Sequence, residues 1–84
     1  MTTTTVTLTT DWQAITDGTE DYAIHVMDLD GDNVAAITLL DGTPNATTPA
    51  FSLKEYQGIS SVTHPGKVWA KVRKGTQVLL AVNK

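Results

Sequence analysis

The chain contains no cysteine. No disulfide can staple it, which excludes the loop-rich secreted scaffolds that depend on such bridges. Long apolar runs are missing too. Nothing approaches the roughly 20 apolar residues of a membrane span, so no membrane partner is expected. The opening, MTTTTVTLTT, has neither a basic segment nor a continuous apolar stretch, which predicts no secretory signal. Lys and Arg are absent from residues 1–50, and the net charge is −3. A nucleic-acid partner wants a basic face, so none is expected. Aromatic residues are few: Trp12, Tyr22, Phe51, Tyr56 and Trp69. Carbohydrate modules gather several exposed rings on one face. So small a set, with Trp69 next to an apolar-faced strand, reads first as core or interface and second as a sugar-stacking platform.

The familiar chemical motifs are also lacking. There is no nucleophile elbow, no P-loop and no G-x-G-x-x-G. The serines of YQGISS have no base placed beside them. The acids fall in turns, where water keeps them ordinary, so no glycosidase pair can be argued. His25 lies mid-strand and reads as a sheet histidine. His64 precedes Pro65 in a turn, and the two offer no third ligand at a useful spacing. Asn45-Ala46-Thr47 matches a glycosylation sequon, which means nothing without a secretory route. No catalytic residue, cofactor site or metal site is expected.

One stretch imitates a metal loop. In MDLDGDN, Asp28, Asp30 and Asp32 alternate as the first, third and fifth ligands of a calcium-binding loop would. Such a loop needs glycine at its sixth place and a bidentate glutamate at its twelfth. Those places hold Asn33 and Leu39. Gly31 sits between two aspartates, where a turn between strands uses it. The stretch therefore reads as a hairpin turn, with weak adventitious calcium binding as the alternative.

What the sequence does have is alternation. Period-two patterning dominates from end to end. Residues 4–10 are Thr-rich and β-branched, with Val6 and Leu8 to one side, as in an edge or terminal strand. DWQAITDGTE interrupts with a turn at Asp17-Gly18, and reads as a loop whose Trp12 and Ile15 plug one end of the core. Tyr22, Ile24 and Val26 then oppose Ala23, His25 and Met27. VAAITLL follows, then the Gly- and Pro-bearing loop of residues 41–50, then the short strand of Phe51 and Leu53. Ile59 and Val62 suggest a further short strand. GKVWAKV, RKGT and QVLLAVN read as a terminal hairpin. In it Val68, Ala70 and Val72 face the core while Trp69, Lys71 and Arg73 face away. Val78, Leu80 and Val82 likewise oppose Leu79, Ala81 and Asn83. This predicts an all-β fold, a small antiparallel β-sandwich or barrel of six to seven short strands, in a single domain over residues 1–84.

Two features point to neighbours. VAAITLL and VLLAV are apolar on both faces, and both faces must be covered by packing or by another subunit. The candidate interface is Trp69, Lys71, Arg73, Leu79 and Ala81. Charge is also split: residues 1–50 carry eight acids, while residues 51–84 carry six bases against Glu55 alone. Intermixed strands would neutralise this split locally; otherwise opposed faces would attract neighbouring copies. A chain of 84 residues buries only about 60–65% of its unfolded surface, so assembly is its remaining route to stability.

The stretch VTLTTDWQAITDGTEDYAIHVMD, with the closing GKVWAKVRKGTQVLLAVNK, resembles a family of very small structural proteins encoded in tailed-bacteriophage virion gene clusters. The shared plan is a Thr-rich first strand, Trp-Gln near a turn, a VWAK strand, a glycine turn and an apolar last strand. TPNATTPAFSL matches the family's Pro/Ala/Thr-rich loop before a short strand. KEYQGISS departs from it, lacking the expected PGE turn. The resemblance implies a non-enzymatic β-sandwich or β-barrel unit located in the virion, on a capsid surface or along a tail. It implies as partners further copies of the chain and the major capsid protein or other virion proteins. A trimer is the preferred homo-oligomer, because threefold positions are common in capsid lattices. No site residues carry over. The rival reading is a carbohydrate- or receptor-binding β module, for example part of a tail fibre.

Overall fold

A computed structural model describes residues 2–27, 33–54, 57–61 and 67–84. The fold is all-β. Eight strands lie among the described residues: β1 (Thr3–Leu8), β2 (Gln13–Ala14), β3 (Tyr22–Val26), β4 (Val34–Leu39), β5 (Phe51–Leu53), β6 (Gly58–Ser61), β7 (Val68–Lys74) and β8 (Val78–Asn83). They form two antiparallel four-stranded sheets. Sheet A has the order β1-β8-β3-β6, and sheet B the order β2-β7-β4-β5. The chain pairs β1 with β8, β2 with β7, β3 with β6 and β4 with β5, each pair roughly centred on the loop that joins β4 to β5. This is one long hairpin folded over on itself, and the strand order is that of a jelly roll.

The alternation seen in the sequence builds one core between the sheets. Sheet A contributes Leu8, Tyr22, Ile24, Val26, Val78, Leu80 and Val82; sheet B contributes Ala35, Ile37, Leu53, Val68, Ala70 and Val72. Tyr22 to Val26 alternate buried and exposed without a break, as a strand with one wet face should. Ile15 joins the core, as expected, but Trp12 does not. Trp12 stays half-exposed because it precedes β2 on the parity of Ala14, which pairs with the outward-facing Trp69.

Two further expectations need correction. The terminal hairpin does not exist as a pair. β7 lies between β2 and β4, while β8 lies between β1 and β3 in the other sheet. The Gly75 turn, with φ 97°, carries the chain across the core rather than back along an edge. Val68, Ala70 and Val72 therefore meet Val78, Leu80 and Val82 face to face. β3 and β4 likewise belong to different sheets, so the segment between them is not a hairpin connection. The aspartates of that segment, Asp28, Asp30 and Asp32, lie outside the described residues. So do Val62 and His64.

The strand count of six to seven grows to eight chiefly through β2. Its two exposed residues carry no hydrophobic alternation. Beyond it, Ile15 N–H donates to Val68 O at 2.8 Å, and the buried Thr16 Oγ1 accepts from Val68 N–H at 3.1 Å. A hydroxyl thus continues the ladder where the backbone turns away.

Candidate functional site

The five candidate interface residues fall on opposite sides of the slab. Trp69, Lys71 and Arg73 lie on the outer face of sheet B, and Leu79 and Ala81 on the outer face of sheet A. The separation follows from β7 and β8 belonging to different sheets.

The outer face of sheet B is largely occupied by the chain itself. Residues 40–50 fold over it. Trp69 Nε1 donates to Leu40 O at 2.9 Å and Trp12 Nε1 to Asn45 O at 3.1 Å. Thr38 Oγ1 donates to Pro49 O at 2.9 Å, and Arg73 reaches Ser52 Oγ at 2.8 Å and Ala50 O at 3.3 Å. Lys67 Nζ stands 4.6 Å from the Trp69 ring centre, and Lys71 Nζ stands 4.7 Å from that of Trp12. The loop supports itself: Asn45 Oδ1 accepts from Thr47 N–H and Oγ1 at 2.9 and 2.8 Å. Ala36 and Thr38 are buried on this outward side. The second apolar face of β4, which needed a cover, is thus covered within the chain, by the loop at Thr38 and between Lys71 and Ser52 on the neighbouring strands at Ala36.

The outer face of sheet A has no such cover among the described residues. In register across it lie Thr3, Thr5 and Thr7 of β1, Asn83, Ala81 and Leu79 of β8, Ala23 and His25 of β3, and Ser60 and Gly58 of β6. None of these is Asp, Glu, Lys or Arg. Ala81 is buried although it points outward, because its methyl lies between Thr5 and His25 on the neighbouring strands. His25 itself is exposed. Asn83 Oδ1 is buried without a hydrogen-bond partner.

The charge split resolves in a mixed way. Strands from residues 1–50 and 51–84 alternate across both sheets, so the two halves intermix. Yet Lys71 and Arg73, flanked by Lys67, still share the outer side of sheet B. Asp11, Asp17, Glu20, Asp21 and Asp41 occupy connections. Among the described residues the one ion pair is Lys84 with Glu20, at 3.9 Å. Lys84 Nζ also donates to Ile15 O at 2.8 Å, tying the end of β8 to the segment after β2.

Among the described residues, two groups are shifted from their ordinary values. Asp17 accepts from Thr19 Oγ1 at 2.7 Å and Thr19 N–H at 2.9 Å, and these bonds hold its carboxyl below the usual range. Burial pushes the Tyr22 phenol up. Neither belongs to a cluster that suggests catalysis. Among the described residues no three His, Asp or Glu side chains approach closely enough to hold a metal ion.

No family model, curated protein or solved structure matches the chain.

The missed feature of this site is the role of residues 40–50. Their Gly and Pro content marked a loop, but nothing local says over which face a loop will fold. The two indole N–H groups were the available signal, since half-buried tryptophans need acceptors.

Proposed function

We propose that this chain is a non-enzymatic structural protein of a tailed-bacteriophage virion, a capsid decoration or head-associated subunit that works as one of many identical copies. The observation that carries the reading is the uncharged outer face of sheet A. The wet side of an antiparallel sheet is ordinarily polar and charged. A face of threonines, alanines, a serine, a glycine, one leucine, one asparagine and one histidine has no Asp, Glu, Lys or Arg to be buried unpaired against a neighbour. The slab geometry suits this role, with Cα extents of 31 × 29 Å across and 16 Å through. A small core without disulfides gains stability by mass action when neighbours bind the folded form. The motif resemblance names the setting. Immunogold electron microscopy of particles from the native source tests it. Label in regular copies on the particle is the expected result; label confined to the soluble fraction would overturn the reading.

A second reading, glycan binding, has one observation in its favour. Trp12 and Trp69 share the outer face of sheet B, with Lys71 over the Trp12 ring. Each indole N–H is already engaged by the 40–50 loop and each ring has a lysine over it. The virion reading therefore expects tryptophan fluorescence that is indifferent to oligosaccharides. A sugar-dependent shift would favour the module instead.

A further inference from the structure

β1 is an edge strand whose hydrogen-bonding phase is fixed. Thr2 N–H donates to Lys84 O at 2.9 Å, and Lys84 N–H returns to Thr2 O at 3.2 Å. In an antiparallel ladder such reciprocal pairs alternate with non-bonded ones. Thr4, Val6 and Leu8 therefore direct their backbone groups at β8, and Thr3, Thr5 and Thr7 direct theirs outward. Two independent contacts agree with this phase. Met27 N–H donates to Leu79 O, so the odd residues of β8 serve β3 and its even residues serve β1. Thr9 O, next in the outward series after Thr7, is taken by Val72 N–H at 2.8 Å. The open part of the edge is thus Thr3 to Thr7, and no described residue covers it.

Long open edges are ordinarily guarded by lysine, proline, a bulge or a short length. β1 has six residues, no charge, no proline and no bulge in its pairing with β8. The other three edges run to two, three and four residues.

We propose that β1 is a self-pairing edge: two copies of the chain join their β1 strands antiparallel about a twofold axis at Thr5. That register puts Thr5 opposite Thr5, and Thr3 opposite Thr7 of the second copy. Every outward N–H and C=O from Thr3 to Thr7 finds a partner. All the residues so paired are threonines, whose side chains stack as favourable cross-strand pairs on the uncharged face. A second copy fits better than a foreign peptide because the edge is self-complementary: no charge selects another sequence, and the arrangement closes as a dimer. The two A sheets become one sheet of eight strands. An edge of this length buries less than the ~1,600 Å² of a standard interface, so the free dimer is weak and forms at high micromolar concentration. Many copies on a particle would strengthen it by effective concentration.

The pairing shares with the virion reading only the need for a second copy, and it is tested off the particle. It can therefore fail while the location stands, or stand while the location fails. Because the chain has no cysteine, Thr5→Cys carries the only thiol. In the proposed register the two Thr5 Cα atoms lie about 5.5 Å apart, within disulfide reach. Two Thr3 residues lie about 14 Å apart at ~3.4 Å per residue, out of reach. Under mild oxidation Thr5→Cys should form dimers, Thr3→Cys alone should not, and Thr3→Cys mixed with Thr7→Cys should. Thr5→Pro removes only an outward N–H and leaves the β8 ladder whole. Measured by sedimentation, it should weaken dimerisation at least tenfold while keeping the circular dichroism of the wild type; Thr5→Lys should do the same by placing like charges in register. Equal crosslinking at Thr5 and Thr3, a wild type monomeric at every concentration up to millimolar, or a dimer indifferent to both Thr5 variants would each overturn the proposal.

Discussion

At the scale of single residues the structure turns on a few side chains whose polar groups are either tightly satisfied or left over. Gly75 holds φ 97°, and the Asn33 side chain occupies the space a Cβ would need. Gly75→Ala should cost about 1–3 kcal/mol in chemical unfolding, from left-handed strain with the clash added. Asn83 presents the opposite case. Its buried Oδ1 lacks a partner, so Asn83→Val removes an unsatisfied acceptor from a strand and should leave stability unchanged or raise it by up to about 1 kcal/mol. A clear loss would show that the amide is satisfied in solution. Asp17 sets a pH dependence. Its folded pKa is depressed below the ordinary 3.8 by Thr19. The contact therefore contributes above the unfolded value and is lost as pH falls through the lower folded value. An NMR titration of the Asp17 carboxyl should show a midpoint below that of the unfolded chain, moving back up in Thr19→Ala.

At the scale of elements, the clearest case is the 40–50 loop. Thr38→Val keeps the shape of the side chain but leaves Pro49 O without its donor. The expected cost is about 1 kcal/mol, with faster proteolysis within residues 41–50 and little change elsewhere. Elements were also where the sequence spoke unevenly. The faces of β3, β7 and β8 could be read residue by residue, because alternation reports which side meets the core. Which strands pair could not be read. A turn such as RKGT reports that the chain reverses, yet the returning strand can run beside its predecessor or cross to the opposite sheet. The hydrophobic pattern of Val78, Leu80 and Val82 is the same in either case. β2 left no signal, because two exposed residues at an edge need no pattern. Of the candidate interface, the outward positions of Trp69, Lys71, Arg73, Leu79 and Ala81 were legible. Their division between two faces was not, since it depends on that crossing.

At the scale of the whole molecule, the two broad faces differ in kind. One carries lysines, Arg73, tryptophans and a loop the chain supplies itself. The other, among the described strand residues, carries no Asp, Glu, Lys or Arg, and it ends in a Thr-rich edge strand with half its backbone groups turned outward. Copies of the chain are proposed to meet at this second face and its edge. Amide hydrogen exchange along β1, followed by NMR at low and high protein concentration, tests it most directly. In dilute solution Thr4, Val6 and Leu8 should exchange slowly and Thr3, Thr5 and Thr7 fast, the alternation that the β8 ladder imposes. At high micromolar concentration and above, Thr3, Thr5 and Thr7 should slow as well, while the exposed 41–50 loop stays fast. Rapid exchange at Thr3, Thr5 and Thr7 at every concentration up to millimolar would contradict the claim.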